Sequence, residues 1–408
     1  MSEALMGVYN RAPLEVERGN GMWLHTRDGR AFLDCVAGIA TNCLGHAHPR
    51  LVAALEEQAR KLWHVSNIFR IPGQEELAAR LVGATFADAV FFGNSGSEAV
   101  ECALKAARRY HAVNGAPERI DIVGFAGSFH GRPYAAVNAS GNPAYLDGFG
   151  PRLPGYVQLT IDDRAAIDEA VRRPTTAAVI VEPVQGEGGA RALDGEWLSW
   201  LRRLCDAHGV LLIHDEVQSG MGRTGRLFAH QWFDGAEPDI MAVAKALGGG
   251  FPIGACLATA AVAGAMTVGA HGSTFGGNPL AMAVGIAAFA EIAREETLAN
   301  VRAASDRHPD GAEQRRDHGA GARPRAAGRG RRRELHPPAA AAHDHPRRGR
   351  RSAAPDRGNV RRGARSLRRR GLMLVARAVA GQSGDGLPIC DADTPPDGRV
   401  GDIVPASE

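Results

Sequence analysis

Residues 196–218 have the sequence EWLSWLRRLCDAHGVLLIHDEVQ, in which two apolar patterns follow each other directly. Residues 196–208 place apolar side chains at helical spacing, and residues 210–213 form a short apolar run that is typical of a buried strand. The run is followed by two carboxylates, Asp215 and Glu216. A helix that leads into a buried strand in this way predicts a crossover connection within a parallel sheet.

The same alternation extends over the first three hundred residues. We predict strands over residues 89–92, 120–125, 177–181, 210–213, 240–244 and 253–258. Helices are predicted over residues 97–111, 196–208 and 278–293, the last with Asn278 as N-cap and Pro279 in its first turn. The pattern indicates an α/β fold with a mainly parallel sheet flanked by helices. Ligands of such sheets bind at the carboxyl ends of the strands, so the polar residues after each strand are candidate site residues.

The composition is that of a globular protein. The chain has 408 residues, of which 44% are hydrophobic and 23% are charged, and this length allows two domains with a sizeable core. No run of about 18 apolar residues is present to span a bilayer, and the N-terminus lacks the basic and apolar regions of a secretory signal. The six cysteines are scattered without C-x-x-C spacing. We therefore expect a soluble, cytoplasmic protein with reduced thiols and no metal site.

Charge is distributed unevenly along the chain. Residues 302–370 hold 21 Arg against 7 Asp plus Glu, a formal charge of +14, so the rest of the chain, whose overall charge is +3, carries −11. Leu335, Val360 and Leu367 are the only large apolar residues in this segment, and we expect it to be disordered. Three interpretations remain: a nucleic-acid-binding tail, a flexible linker, or the product of a shifted reading frame. The absence of aromatic residues for base stacking disfavours nucleic acid, and the Arg, Ala, Pro and Gly bias without Lys favours a shifted frame.

Lys245 is the candidate nucleophile. The chain has three lysines, and Lys61 and Lys105 fall in amphipathic helical patterns that predict exposed positions. Lys245 follows the apolar run 240–244 and precedes the glycine run 248–250, which would let the backbone approach a ligand closely. Partial burial there would lower the pKa of the amine and favour a Schiff base with a carbonyl. The alternative is a lysine that extends past an apolar strand into solvent.

Two further features match one cofactor. A carboxylate at residue 215 or 216, after so apolar a strand, requires a cationic partner, and the protonated ring nitrogen of pyridoxal phosphate is one. Residues 94–98 (NSGSE), between a predicted strand and helix, offer hydroxyls and N–H groups for a phosphate; the alternative is an ordinary serine-capped helix. No Walker A or G-x-G-x-x-G motif lies near a strand end, which disfavours nucleotides.

Two loops add to this pattern. Residues 128–132 (SFHGR) follow the strand 120–125 and supply an aromatic face for a ring and an arginine for a carboxylate. Residues 271–279 (HGSTFGGNP) supply small residues and hydroxyls suited to phosphate contact. Each loop alone is more typical of an ordinary turn. Together with Lys245 and Asp215, they favour a pyridoxal-phosphate site.

Residues 5–300 resemble the class III, fold-type I pyridoxal-phosphate aminotransferases, most closely the acetylornithine branch of that family. The resemblance rests on six motifs: residues 94–99 (NSGSEA), 128–132 (SFHGR), 181–189 (VEPVQGEGG), 214–218 (HDEVQ), 244–250 (AKALGGG) and 271–279 (HGSTFGGNP). Residues 36–40 (VAGIA) and 61–67 (KLWHVSN) are similar to the acetylornithine branch in particular.

The resemblance implies roles for named residues. Lys245 would bind the aldehyde of pyridoxal 5'-phosphate covalently, and Asp215 would keep its ring nitrogen protonated. The implied cofactor-binding residues are Gly96, Ser97, Phe129, Asp215, Glu216, Val217, Gln218, Lys245 and Thr274. Thr274 would reach the cofactor phosphate of the neighbouring subunit in a homodimer. The implied substrate-binding residues are Tyr9, Arg132, Glu182 and Ser273, with Arg132 on the α-carboxylate and Glu182 paired with an arginine of the C-terminal domain.

The resemblance also implies a domain organisation and a reaction. In chain order it implies an N-terminal segment of a small domain (1–45), a large cofactor-binding domain (46–277) and a connecting helix (278–301). Residues 302–408 depart from the family, which continues there into a small domain with the arginine partner of Glu182. Here they form the Arg-rich segment (302–370) and a degenerate C-terminal remnant (371–408), in which no such arginine is identifiable. The implied reaction moves the δ-amino group of N-acetylornithine to 2-oxoglutarate. The alternatives are another donor, namely succinylornithine, ornithine or 4-aminobutyrate, or a variant that binds the cofactor without activity.

Overall fold

The computed structural model describes residues 4–306, 389–391 and 403–404. Of residues 302–408, the structure describes only residues 302–306, at the end of a helix, and two short strands, 389–391 and 403–404. The rest of the Arg-rich segment (302–370), expected to be disordered, and of the degenerate remnant (371–408) lies outside the described residues.

The elements follow the chain in an alternating order. The strands are β1 (Val16–Asn20), β2 (Trp23–Thr26), β3 (Ala31–Leu33), β4 (Ala89–Gly93), β5 (Asp121–Phe125), β6 (Tyr156–Leu159), β7 (Thr176–Val181), β8 (Val184–Gln185), β9 (Arg191–Ala192), β10 (Leu211–Asp215), β11 (Ile240–Val243), β12 (Gly254–Ala258), β13 (Ile389–Asp391) and β14 (Ile403–Val404). The helices are α1 (Ala37–Ala40), α2 (Pro49–Ala59), α3 (Pro72–Val82), α4 (Gly96–Val113), α5 (Tyr134–Ala139), α6 (Arg164–Arg172), α7 (Gly195–His208), α8 (Ala260–Ala265), α9 (Pro279–Ile292) and α10 (Glu295–Asp306). α1 is a single turn with left-handed φ angles at Gly38 and Ile39.

A seven-stranded sheet has the strand order β4-β12-β11-β10-β7-β5-β6. The pairs from β11 through β6 are parallel, whereas β12 is antiparallel to both of its neighbours. Six of the seven strands therefore end at the same edge. This arrangement confirms the predicted α/β fold with a mainly parallel sheet.

Helices cover both faces of this sheet, as the alternation along β7 shows. Ala178 and Ile180 pack in one cluster with residues of α4, whereas Val179 and Val181 pack in another with residues of α6 and α7. Successive strand residues point to opposite faces, so both faces are buried and the strand consists almost entirely of apolar residues. All four side chains are fully buried.

The predicted helices are observed with small shifts at their ends. Asn278 caps α9 by accepting a hydrogen bond from the Ala281 N–H at 2.9 Å, as predicted. The single connecting helix expected over residues 278–301 is instead two helices, α9 and α10. Thr297 Oγ1 donates to the Glu291 carbonyl at 2.8 Å and so satisfies one of the carbonyl groups where α9 ends.

A second, antiparallel sheet was not predicted. It has the order β1-β2-β3-β13-β14, and β13 pairs with β3 through Cys390 opposite Leu33. Residues 371–408 thus contribute two short strands to a sheet that begins in the N-terminal segment. The strands of this sheet have two to five residues, too few for a clear alternating pattern. Among the described helices, none has the length and apolar character needed to cross a membrane.

Candidate active site

The carboxyl ends of the parallel strands converge on one cavity of about 350 Å³. Its lining includes residues that follow β4, β5, β7, β10 and β11, which the shared direction of these strands brings to one edge. Eight of the residues predicted from the sequence line it: Gly96, Ser97, Phe129, Glu182, Asp215, Val217, Gln218 and Lys245. The cavity lies within the size range of small-molecule sites.

Lys245 lies immediately after β11, where the backbone turns sharply. Its φ of +46° is uncommon for a residue other than glycine, and such a conformation stores strain of about 1–3 kcal/mol. Burial lowers the pKa of the Lys245 amine, while the charges of Asp215, Glu182 and Glu187 raise it, and the net shift is downward. Within the described part of the chain, Lys245 Nζ has no hydrogen-bond or ion-pair partner. A half-buried amine of lowered pKa is a suitable nucleophile for a carbonyl.

The glycine run after Lys245 is required by the protein's own packing. A Cβ at Gly248 would lie 2.0 Å from the Phe251 carbonyl oxygen, and a Cβ at Gly250 would lie 2.6 Å from Asn42 Oδ1. Gly250 also lines the cavity. The sequence analysis explained this glycine run by close approach of the backbone to a ligand. Contacts within the protein also require glycine at these two positions.

Asp215 is the buried carboxylate of the cavity. Asp215 is the last residue of β10. Its carboxylate accepts one hydrogen bond from the Val217 N–H at 3.0 Å and another from His130 Nδ1 at 2.8 Å. The His130 side chain is fully buried, and its Nε2 has no partner in the described structure. Asp215 is thus held by two donors at one wall of the cavity, while Lys245 lies on the lining of the same cavity.

Glu216 is not brought into the cavity, in contrast to the expectation from the sequence. Its side chain accepts hydrogen bonds from the backbone N–H groups of Ala229 and His230, at 2.6 and 3.0 Å, and from His230 Nδ1 at 2.8 Å. Neighbouring side chains at the end of a strand point in opposite directions, so only one of the two adjacent carboxylates can face the ligand. Glu216 fixes the loop after β10 instead.

Glu216 and His230 also lie near His214, and the three form a buried group whose ligand-type atoms are all within 4.8 Å of one another. Neither ring nitrogen of His214 has a hydrogen-bond partner among the described residues. The Glu216 carboxylate, however, already accepts from four donors, the fourth being Ser219 Oγ at 3.4 Å. Glu216 and His230 are therefore a buried hydrogen-bonded pair, with the His214 ring centre 6.2 Å from that of His230.

The N-terminus of α4 forms the anion-binding side of the cavity. Ser95 is the N-cap and accepts a hydrogen bond from the Glu98 N–H at 3.2 Å, so the serine cap considered from the sequence is present. Gly96 and Ser97 nevertheless line the cavity, and the first N–H groups of a helix have no partner within it. A Cβ at Gly131 would lie 2.6 Å from Ser97 Oγ. This helix end can therefore cap itself and still present N–H groups and a hydroxyl to a phosphate.

Glu182 lines the cavity, but its carboxylate is bound by the protein itself. Oε1 accepts from the Phe129 N–H at 2.8 Å and Oε2 from the Gly186 N–H at 3.2 Å. Burial raises the pKa of Glu182 to about 7, although nearby His130 lowers it. These two bonds join the loops after β5 and β7. A carboxylate can accept about four hydrogen bonds, so the pairing of Glu182 with an arginine of the C-terminal domain stays a prediction.

Glu187 is a cavity residue that the sequence analysis missed. It is half-buried and, within the residues that the structure describes, its carboxylate has no hydrogen-bond partner. Burial raises the pKa of Glu187, and the charges of Lys245 and Arg132 oppose that shift. Its position in the quoted motif 181–189 was the available signal, but the sequence does not indicate which glutamate of that motif faces the ligand.

Four other predicted residues lie outside the cavity lining. Arg132 is exposed at the rim, directly after the lining residue Gly131. Ser273 and Thr274 line a separate surface cavity of about 340 Å³, together with His64, and Ser273 Oγ donates to Glu98 Oε1 at 3.1 Å. Tyr9 is 63% exposed and packs against the Arg11 guanidinium. The structure therefore does not bring these four residues into contact with Lys245 within one chain.

The residues that do line the cavity fit pyridoxal phosphate. An amine without a partner, a buried carboxylate, an aromatic ring and a helix N-terminus correspond to the aldehyde, ring nitrogen, ring face and phosphate of that molecule. Lys245, Asp215, Phe129 and Ser97 supply these groups, and all four line one cavity.

Comparison with known proteins gives a consistent family. The model of the family "Aminotransferase class-III" matches residues 7–318. Acetylornithine aminotransferase 2 of Caulobacter vibrioides is 71% identical over 301 residues, which cover 74% of this chain and 74% of that protein. Acetylornithine aminotransferase of Mesorhizobium japonicum is 58% identical over 299 residues, 73% of this chain and 74% of that protein.

Solved structures agree with this family. N-acetylornithine aminotransferase from Stenotrophomonas maltophilia K279a matches with a TM-score of 0.63 and 42% identity, covering 76% of each chain. Ornithine aminotransferase from Toxoplasma gondii matches with a TM-score of 0.69 and 33% identity, covering 77% of this chain and 73% of that chain. Since the family match extends over most of the chain and includes every strand that contributes to the cavity, the chain belongs to the class III aminotransferases, which are pyridoxal-phosphate-dependent enzymes.

Proposed function

We propose that this aminotransferase moves the δ-amino group of N-acetylornithine to 2-oxoglutarate, giving N-acetylglutamate semialdehyde and glutamate. The observation that carries the proposal is that Lys245 and Asp215 line one cavity beside the N-terminus of α4. The choice of substrate is supported by relatives at 58–71% identity that are named acetylornithine aminotransferases.

Each residue of the cavity has a chemical task in this proposal. Bound pyridoxal phosphate supplies an electron-withdrawing ring that stabilises negative charge on a carbon that loses its proton. Asp215 keeps a positive charge at the ring nitrogen, because a buried carboxylate favours a cation beside it. Lys245, with its pKa lowered by burial, would take the proton from the substrate carbon that bears the amino group and deliver it to the carbon of the cofactor's former aldehyde group. Gly96 and Ser97 bind the phosphate through the helix N-terminus.

Substrate carboxylates are proposed to bind at the rim. Arg132 follows the lining residue Gly131 and supplies a guanidinium, the side chain best suited to bidentate carboxylate binding. The charges of Lys245 and Arg132 lower the pKa of Glu187, and the charge of Glu187 raises the pKa of Lys245. In our proposal this carboxylate, rather than Glu182, balances the cations of the cavity when a substrate carboxylate is absent.

The proposed enzyme is a cytoplasmic homodimer. Trp63, Ile68, Phe69 and Phe275 are 58–83% exposed and lie in the two segments that form the surface cavity of Thr274. Large apolar side chains that are clustered on a surface favour a protein partner, and a second copy would bring Thr274 near the neighbouring site. Cys43, Cys102, Cys205 and Cys256 are free thiols, in keeping with a reducing compartment.

A coupled glutamate assay tests the proposed reaction. The protein loaded with pyridoxal 5'-phosphate is given 2-oxoglutarate with N-acetylornithine, succinylornithine, ornithine or 4-aminobutyrate, and glutamate is measured. We expect N-acetylornithine to have the highest kcat/KM, with the parallel double-reciprocal lines of a ping-pong reaction. A higher kcat/KM for another donor would refute the proposed substrate, and cofactor binding without glutamate formation from any donor would refute the proposed activity.

A further inference from the structure

The guanidinium of Arg132 lies against two aromatic rings at the rim of the cavity. Its Cζ is 3.9 Å from the centre of the Tyr145 ring and 5.3 Å from the centre of the Phe129 ring. The two rings meet edge to face, with centres 5.8 Å apart and planes at 89°. Phe129 lines the cavity. Its contacts with Tyr145 and Arg132 therefore place both residues next to the cavity lining.

Arg132 differs from the helical arginines of this chain in its polar contacts. Arg80 and Arg172 each donate to a carboxylate four residues earlier in the same helix. Arg132, in contrast, makes no hydrogen bond or ion pair with any residue that the structure describes. A guanidinium that packs by its face keeps its N–H donors directed outward in its own plane. The ring contacts of Arg132 thus use none of its N–H donors in hydrogen bonds, which leaves the donors available to a ligand.

Tyr145 contacts Arg132 through its aromatic ring, and its hydroxyl takes no part in that contact. It ends the 3-10 turn Pro143–Tyr145, which Asn142 caps by accepting from the Ala144 N–H at 3.0 Å. Across the described residues, the Tyr145 hydroxyl has no hydrogen-bond partner. The Tyr145 side chain is half-buried. Because its contact with the Arg132 guanidinium orders a flexible side chain, we expect it to raise the affinity of Arg132 for a carboxylate about tenfold.

We infer that Tyr145 is a positioning residue, which holds the Arg132 guanidinium in the orientation that binds the substrate carboxylate. This inference rests on the proposed role of Arg132 as the carboxylate-binding group. Without the ring, the long Arg132 side chain would lose rotamer freedom on each binding event, and the affinity for a carboxylate would fall. Tyr145 itself touches no reacting atom.

Three variants separate this role from a purely structural one. Tyr145→Leu removes the aromatic face, and Tyr145→Phe keeps the face but removes the unpartnered hydroxyl. Tyr156→Leu is the matched control, because Tyr156 also packs against an arginine, with Arg108 Cζ 4.9 Å from its ring centre. That pair, unlike the Tyr145–Arg132 pair with Phe129, includes no ring of the cavity lining.

The first measurement is the dissociation constant of glutarate, a dicarboxylate without an amino or oxo group, for the protein loaded with pyridoxal 5'-phosphate. We expect Tyr145→Leu to weaken binding about tenfold, which corresponds to about 1.4 kcal/mol. Tyr145→Phe and Tyr156→Leu are expected to bind within about twofold of the wild type. Because this measurement needs no turnover, it is independent of whether N-acetylornithine is the donor; failure of the proposed reaction would appear separately, as absence of glutamate formation by the wild type.

The second measurement compares N-acetylornithine with N-acetylputrescine, which has the same chain and amine but no carboxylate. For Tyr145→Leu we expect a higher KM for N-acetylornithine and an unchanged kcat/KM for N-acetylputrescine. Three results would overturn the inference: wild-type glutarate affinity in Tyr145→Leu, equal losses in Tyr145→Phe and Tyr145→Leu, or no glutarate binding by the wild type. Equal loss of kcat/KM for both amines would also overturn it, since a structural defect affects both.

Discussion

His130 and Asp215 form a buried pair, with His130 Nδ1 2.8 Å from Asp215 Oδ2. Burial alone would lower the pKa of His130, but the hydrogen bond and charge of Asp215, with the charge of Glu182, outweigh it, and the pKa is raised. His130 thus orients the Asp215 carboxylate, and protonated His130 compensates its buried negative charge. The two residues are 85 positions apart in the sequence and meet because β5 and β10 end at the same edge of the sheet.

Replacing Asp215 by Asn should separate cofactor binding from catalysis. The amide has nearly the same shape and would still lie against the ring nitrogen, but it would not stabilise a positive charge there. We expect Asp215→Asn to bind pyridoxal 5'-phosphate and to react with N-acetylornithine at least about a hundredfold more slowly. The measurement is the single-turnover rate from the change in cofactor absorbance, with His130→Asn as a control that keeps the carboxylate. An unchanged rate in Asp215→Asn would contradict the role assigned to this residue.

The His130–Asp215 pair should make stability depend on pH. A folded-state pKa above the ordinary value of 6.5 means that the protonated histidine stabilises the fold below that pH, and this stabilisation is lost as the pH rises through the higher folded-state value. We expect His130→Asn to lower the free energy of unfolding of the cofactor-free protein by about 1–3 kcal/mol at pH 6, and by less at pH 9. Urea unfolding at both values measures this.

His111 is the control of opposite sign for that experiment. It is buried, its Nε2 lies 2.9 Å from the Ala177 carbonyl, and burial lowers its pKa. A lowered value costs stability as the pH falls through 6.5, so His111→Asn should be less destabilising at pH 6 than at pH 9. The same pH trend in both variants would mean that the slope does not arise from the His130–Asp215 pair.

The lowered pKa of Lys245 should be visible in its reaction with the cofactor. The neutral amine is the reactive form, so the rate at which cofactor-free protein combines with pyridoxal 5'-phosphate should reach half its maximum below pH 10.5. Since the charge of Glu187 raises the pKa of Lys245, Glu187→Gln should move that midpoint to a lower pH. Stopped-flow absorbance measures the rate, and Glu169→Gln, which alters an exposed pair with Arg173, is the control. A midpoint that stays in place or moves upward would show that Glu187 does not act on Lys245.

Gly131 should be essential for the phosphate end of the site. Its φ is +117°, and a Cβ there would lie 2.6 Å from Ser97 Oγ, so Gly131→Ala adds both backbone strain and a collision with the α4 N-terminus. Gly115 has a φ of +86° and no atom within 4 Å of a Cβ, so Gly115→Ala adds strain alone. We expect both variants to be less stable. Only Gly131→Ala should also bind pyridoxal 5'-phosphate at least about tenfold more weakly. Equilibrium absorbance titration measures this affinity. Equal affinity in the two variants would refute the proposed contact of Ser97 and the α4 N-terminus with the phosphate.

The parts of the fold and site that follow from local patterns could be predicted from the sequence. Continuous apolar runs such as residues 210–213 predict buried strands, and the shared direction of parallel strands then places Asp215 and Lys245 at one edge. The short strands β1 to β3 and β13 were missed, because three to five residues are too few to produce a distinct alternation.

Residues whose function depends on side-chain direction or distant contacts were beyond the sequence patterns. Glu182 and Glu187 belong to one motif. Only the structure shows that backbone N–H groups bind the first and that the second has no such partner among the described residues. Glu216 was among the cofactor-binding residues implied by the family resemblance, but adjacent strand residues face opposite sides, and it does not line the cavity. Tyr145 lies in a loop without a periodic pattern, and its contact with Arg132 depends on how that loop folds.

Reduction of the cofactor-loaded protein tests the central claim most directly. Borohydride converts the bond between a lysine amine and the aldehyde of pyridoxal 5'-phosphate into a stable one, and peptide mass spectrometry then locates the label. The chain has only two other lysines, Lys61 and Lys105, and the reported geometry predicts the label on Lys245 alone, with Lys245→Ala unlabelled. A label on Lys61 or Lys105 at equal occupancy, or a wild-type protein with no label, would contradict the assignment of Lys245 as the residue that holds the cofactor.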